Sequence, residues 1–293
     1  DGSIDFDTAE KYVDWYYENG LDGIFAVCQS SEIFYLSLEE RVELNRRVYK
    51  KAKELDKNFL VVSSGHISDT IEKQAEELNA IYKSGTDALI LITNRLDINN
   101  EGDDVFIANA EKLIAQLPPD VKLGLYECPY PYKRKISPYV LKKMVENGKY
   151  QFIKDTCCSL SELKEKLDII NGTSVKLFNA NAATLLESIK MGALGYSGVM
   201  ANFHPELYVE LIKAHKEGNE EKAEFLQNMV GYFSVTECQC YPVNAKYYVS
   251  LDGVNIGIHT RTKNPAELFD ARKMEIEQMY TFTQSVKEKF NIQ

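Results

Sequence analysis

Short aliphatic runs alternate with longer charged segments carrying apolar residues at helical spacing, and this repeat confines most of the chain to a parallel β/α architecture. Strands are expected at 23–28, 59–64, 88–92, 122–126, 152–154, 175–178 and 195–199. Helices are expected at 7–19, 38–55, 68–84, 103–116, 137–147, 160–169, 181–191 and 204–216. Because the chain opens on a helical pattern, with Asp7-Thr8-Ala9-Glu10 as cap and first turn, the expectation is a (β/α)8 TIM barrel whose first strand is missing from this sequence. A doubly wound open sheet would alternate in the same way, but no glycine-rich phosphate turn follows any strand, so the barrel is favoured. Beyond the barrel domain, residues 1–216, the pattern is helical only, at 219–233, 241–250 and 265–290. Residues 217–293 therefore form a C-terminal helical extension, of the kind that packs beside a barrel or builds an oligomer interface.

The charge balance limits the partners. With 44 acidic and 34 basic side chains the net charge is −10, which disfavours nucleic acid and anionic membranes and leaves any anionic substrate to local donors. The longest aliphatic stretch, Ala88–Ile92, is far short of the roughly 20 residues a membrane span needs, and the acidic start does not resemble a secretory signal. A soluble, cytoplasmic protein is expected. Six cysteines (Cys28, Cys128, Cys157, Cys158, Cys238 and Cys240) show no metal-knuckle spacing, and four scattered histidines (His66, His204, His215 and His259) supply no partner spacing. Neither a metal nor a cofactor is expected, and the thiols fit a reducing compartment.

Lys154 is the anomaly in this pattern. It closes a short strand in Gln151-Phe152-Ile153-Lys154-Asp155-Thr156, where a strand buried on both faces should stay apolar. A strand-end lysine that snorkels to solvent is the ordinary explanation. Tyr126 changes the odds, because it ends the preceding strand at the same level, on the face where barrel enzymes keep their active sites. Side chains alternate along a strand, so Phe152, Lys154 and Thr156 share one side while Ile153 and Asp155 take the other, and Asp155 is not the obvious counterion of Lys154. An amine that attacks a carbonyl must be neutral near pH 7, which requires apolar neighbours to lower its usual pKa of about 10.4. The phenol of Tyr126 would then move protons to and from the adduct.

Leu125-Tyr126-Glu127-Cys128-Pro129 followed by Ile153-Lys154-Asp155-Thr156 resembles the dihydrodipicolinate synthase / N-acetylneuraminate lyase family of pyruvate-type class I aldolases. Ser37-Leu38-Glu39-Glu40-Arg41, Gly192-Ala193-Leu194-Gly195 and Ala201-Asn202-Phe203-His204-Pro205 extend the resemblance across the chain. It implies a barrel with a C-terminal helical part, assembled as a homotetramer or dimer, in which Lys154 forms an imine with a 2-oxo acid and Tyr126 is the proton shuttle. The family's carboxylate-binding turn stands here as Cys28-Gln29-Ser30-Ser31-Glu32, so Ser30 and nearby backbone amides would hold the substrate carboxylate.

The departures from the family pattern concern the second substrate. Gln29 and Leu96 stand where a threonine or serine and a second tyrosine usually complete a hydroxyl relay. Pro131, in Tyr130-Pro131-Tyr132-Lys133-Arg134, stands where dihydrodipicolinate synthases carry an arginine, which argues against lysine biosynthesis. Ala182, Ala183 and Val199 replace polar residues that bind sugar hydroxyls in neuraminate lyases, which argues against sialic acid. Gln29, Asn181, Ser197 and Arg134 are left as candidates to line an unfamiliar pocket, although Asn181 is equally suited to capping a helix. The expected function is a lyase that cleaves a 2-oxo acid reversibly to pyruvate and an aldehyde through a Lys154 imine. Two alternatives stand beside it: an imine-based dehydratase or decarboxylase of a keto-deoxy sugar acid, and a non-catalytic relative that binds a 2-oxo acid.

Overall fold

The structure, a computed structural model, describes residues 2–292. Its centre is a parallel sheet whose strands lie side by side in sequence order: β1 (Gly23–Ala26), β2 (Leu60–Ser63), β3 (Ala88–Ile92), β4 (Leu123–Tyr126), β5 (Tyr150–Asp155), β6 (Lys176–Asn179) and β7 (Gly195–Tyr196). Helices α1 (Phe6–Glu18), α2 (Leu38–Leu55), α3 (Ile71–Ser84), α4 (Asp103–Ile114), α5 (Pro138–Asn147), α6 (Leu160–Ile170), α7 (Leu185–Lys190) and α8 (Pro205–Lys216) alternate with the strands. This is the curled, helix-wrapped sheet of the TIM-barrel type. Among the described residues β7 does not pair with β1, so a seam remains between the two edge strands.

Strand alternation divides the apolar residues into two bodies. Ile90, Ile92, Tyr126 and Phe152 pack together inside the curl with Phe25 and Val62, whereas Leu89, Leu91, Leu123, Leu125 and Ile153 face the helical shell. Local signals set the helix boundaries. The Ser37 side chain accepts from the backbone N–H of Glu40, whose carboxylate accepts from the N–H of Ser37, forming a reciprocal cap at the start of α2. Ser137 caps α5 with Pro138 in its first turn, and Gly148 ends that helix at φ 77°.

Three sequence expectations are shortened by the backbone. The first strand stops at Ala26 because Val27 turns to φ 48°, which leaves the extended region. The last strand has two residues, since Val199–Asn202 coil into a 3-10 turn. The helix expected at 181–191 is a 3-10 turn, Ala182–Thr184, followed by α7. Beyond α8 lie α9 (Glu220–Phe233), the short α10 (Glu237–Cys240), α11 (Val243–Leu251) and α12 (Asp270–Phe290). The expected helix at 241–250 starts after Pro242, and α10 has no counterpart in the sequence expectation. No helix among the described residues is long and apolar enough to cross a membrane.

Candidate active site

The pairing of β4 with β5 sets the geometry of the site. Leu123 is opposite Tyr150, but Gly124 is opposite Phe152, so Gln151 is an extra residue on β5. Without this bulge Tyr126 would face Ile153, and the lysine would point to the other side of the sheet. With it, Tyr126 and Lys154 are direct cross-strand neighbours on the interior face. Gly124 allows the close approach. A Cβ at that position would lie 2.8 Å from the carbonyl oxygen and 2.9 Å from the Cβ of Phe152, a separation no side chain tolerates without moving β5.

Behind the pair, Glu127 and Asp155 point outward and both bind the ammonium of Lys166 from α6. Glu127 also accepts from the backbone N–H groups of Ile136 at 2.8 Å and Thr156 at 2.9 Å. Burial pushes the Glu127 carboxyl up, while Glu127 and Asp155 outweigh burial at Lys166 and keep its ammonium protonated. This triad clamps the ends of β4 and β5 and so holds Tyr126 beside Lys154. Lys166→Met leaves two buried carboxylates facing each other without a cation, and is expected to cost about 3–5 kcal/mol in urea unfolding. A loss below about 1 kcal/mol would show that the clamp carries no stability.

Lys154 is 6% exposed, and no hydrogen bond or ion pair reaches its amine among the described residues. Its Nζ lies 4.7 Å from the ring centroid of Tyr126 and 5.3 Å from that of Phe25. Burial therefore lowers the Lys154 pKa, against weaker opposition from Cys28, Cys128 and Glu237. The sign of the linkage follows. Between the lowered value and the ordinary 10.5, the unfolded chain binds the extra proton, so stability rises with pH through that window and the penalty is complete below it. Lys154→Met is expected to be more stable than the parent at neutral pH and to lose that advantage as pH approaches 10.5. Equal stability of the two proteins at every pH, followed by urea unfolding, would contradict a lowered amine.

Tyr126 is held with its phenol protonated, because burial, followed by the adjacent Cys128 and Cys28 thiols, drives its pKa well above the usual tyrosine value. Its hydroxyl donates to Oε1 of Gln29 at 3.2 Å, so the glutamine occupies the next position along the hydrogen-bond path. Cys128 Sγ donates to the same oxygen at 3.5 Å. Leu96 is fully buried in the apolar core and continues no polar path.

The other sequence candidates are placed less uniformly. The Ser30 hydroxyl lies 3.0 Å from Cys28 Sγ, and the Ser30 carbonyl accepts from the Tyr241 hydroxyl at 3.0 Å. Ser197 follows β7, its backbone N–H donating to Asn179 O at 2.9 Å and its hydroxyl making no bond among the described residues. Asn181 caps the turn after β6, its Oδ1 accepting from the backbone N–H and the hydroxyl of Thr184. Arg134 is clamped by Asp97 at 2.8 Å and Asp103 at 2.7 Å. A cleft of about 910 Å³ lies at the seam, lined by Tyr12, Tyr16, Phe25, Ser30, Asn202 and Tyr241, and Lys154 is not part of its lining. The unpaired amine, not cleft size, locates the chemistry. Among the described residues no cluster of three His, Cys, Asp or Glu side chains is arranged to hold a metal ion.

Sequence reasoning missed Glu237, the one carboxylate among the described residues that acts on Lys154. It stands on α10, and the sequence offers no signal that this turn comes back to the barrel mouth.

Residues 1–267 match the Dihydrodipicolinate synthetase family. The chain is similar to the 4-hydroxy-tetrahydrodipicolinate synthase of Shewanella baltica, 24% identical over 248 residues that cover 84% of this chain and 81% of that protein. A second relative, the 4-hydroxy-tetrahydrodipicolinate synthase of Methanocaldococcus jannaschii, is 27% identical over 222 residues, 75% of this chain and 73% of its own length. Among solved structures, a catalytic lysine mutant of the Ruminococcus gnavus sialic acid aldolase superposes with a TM-score of 0.86 at 17% identity, covering 99% of this chain and 93% of that one.

Proposed function

As a member of the dihydrodipicolinate synthetase family this chain is a carbon–carbon lyase of the pyruvate-dependent type, and we propose that Lys154 is its imine-forming amine and Tyr126 its proton shuttle. The observation that carries this reading is the Lys154 Nζ itself, buried, without a hydrogen-bond or ionic partner among the described residues, and 4.7 Å from the centre of the Tyr126 ring.

The neutral amine attacks the keto carbon of a 2-oxo acid, and the carbinolamine loses water to give the imine. Once protonated, the imine draws in the electron pair of the bond between the first and second carbons beyond it as the hydroxyl on the departing carbon gives up its proton, so an aldehyde leaves and the enamine of pyruvate stays on Lys154. A proton to the enamine carbon and hydrolysis then release pyruvate and restore the amine. The protonated Tyr126 phenol delivers and recovers protons in these steps, and Gln29 orients it by accepting its hydrogen bond. Ser30 and the amides of its turn hold the substrate carboxylate, with Ser197 and Asn181 beside the remainder of the substrate. Tyr126 and Lys154 on neighbouring strand ends support the assignment of roles.

A second reading keeps the same imine and has Lys154 and Tyr126 dehydrate or decarboxylate a keto-deoxy sugar acid, and Gln29 and Leu96 in place of a hydroxyl relay motivate a third, a relative that binds a 2-oxo acid without turnover. Product analysis separates the first two. With keto-deoxy sugar acids as substrates, cleavage releases pyruvate and aldehyde in equal amounts, whereas loss of water or carbon dioxide without an aldehyde would establish the second reading. The absence of any turnover across that series would leave a binding protein.

Three further features belong to the same proposal. An eighth parallel strand in the seam between β7 and β1 would close the barrel, with the helices after residue 217 as its appendage. Exposed Tyr232, Val235, Met274 and Phe282 on the C-terminal segment favour assembly into a homo-oligomer, a dimer or tetramer. Six unpaired thiols fit a reducing cytoplasm.

A further inference from the structure

We propose that Glu237 is a substrate-binding residue, carried over the barrel mouth by the C-terminal helices, that accepts hydrogen bonds from the aldehyde half of the substrate and restricts it to uncharged, hydroxylated aldehydes. The inference rests on the imine reading of Lys154 and adds the substrate class.

The placement of Glu237 is set from both ends of its segment. Four residues after it, Tyr241 docks on the turn that follows β1, its hydroxyl donating to Ser30 O at 3.0 Å, while Asn202 Nδ2 donates to the same hydroxyl at 3.4 Å. Four residues before it, the Phe233 ring packs 5.7 Å from that of His204, which follows the β7 turn. Between these anchors lies α10, and its first residue, Glu237, acts electrostatically on Lys154 of β5 and Tyr196 of β7.

The carboxylate is partly buried, and no donor bonds it among the described residues. Lys154 is the one charged group acting on it, and burial raises its pKa against that attraction. A carboxylate with all its acceptor sites free matches the hydroxyl groups of a polyol. It repels a second carboxylate. Two cations that could offset that repulsion do not: Arg134 is neutralised by Asp97 and Asp103, and Lys154 meets the aldehyde as the neutral enamine.

The test compares aldehydes in the condensation direction, with pyruvate as the donor. D-Glyceraldehyde and D-erythrose represent the hydroxylated class, and glyoxylate and succinate semialdehyde the acidic class. The parent enzyme is expected to show kcat/KM for the hydroxylated pair at least about tenfold above that for the acidic pair, and Glu237→Gln to shrink that ratio about tenfold, mainly through KM. Glu237→Ala should shift the ratio in the same direction. Borohydride trapping of pyruvate on Lys154 is measured in parallel. If the adduct forms and the ratio in both variants stays within about twofold of the parent, or if the parent prefers the acidic aldehydes, the role of Glu237 is wrong while the imine reading stands. If no adduct forms in the parent, the imine reading falls and this inference falls with it.

Discussion

Replacing Lys154 with alanine is expected to lower turnover of any cleavable 2-oxo acid by roughly 10⁴-fold or more, with substrate binding changed far less. The size follows from what the amine supplies. Without it there is no covalent electron sink, and the C–C bond must break to a free carbanion. Neighbouring groups offer no substitute: Lys166 is held by Glu127 and Asp155 on the opposite side of the sheet, and Arg134 is clamped by two aspartates. Steady-state kinetics with pyruvate release as the readout checks this. Residual turnover within about tenfold of the parent would remove Lys154 from the mechanism.

Tyr126→Phe is expected to lower kcat by about 10²–10⁴-fold while the pyruvate adduct still forms on Lys154, at a reduced rate. Phenylalanine keeps the ring that packs against Phe25 and against the lysine, so the apolar setting of the amine survives. Only the hydroxyl and its bond to Gln29 are lost. The split between slow turnover and retained adduct is the signature of a proton-transfer role, because a merely structural tyrosine would affect both steps alike. An unchanged kcat would reject that role.

Much of the fold was legible in short runs such as Ala88–Ile92, where a strand covered on both faces is apolar throughout. Lys154 stood out against that rule for the same reason, and its side of the strand followed from simple alternation. What alternation does not reveal is register. The extra residue at Gln151 is a property of the β4 and β5 pairing, and one chain segment read alone carries no mark of it. The positive φ of Val27 was hidden as well, since a β-branched residue reads as strand and only tertiary packing holds it elsewhere.

Long-range polar pairings were the least visible. Arg134 lies 37 residues from Asp97 in sequence, so no local pattern announces that the guanidinium is already occupied. Asn181 shows both readings of one residue, because the amide that could contact a substrate is the one that caps its own turn. Glu237 is the largest omission. In the sequence, Glu237-Cys238-Gln239-Cys240 attracts attention only for its thiols, and the path that brings the carboxylate to the mouth depends on the docking of Tyr241 on Ser30.

Borohydride reduction of the protein in the presence of pyruvate, followed by peptide mass mapping, tests the central claim most directly. The account predicts one N-carboxyethyl adduct, located on Lys154 and absent from Lys154→Ala. An unlabelled protein, or a label that sits on another lysine and persists in Lys154→Ala, would contradict it.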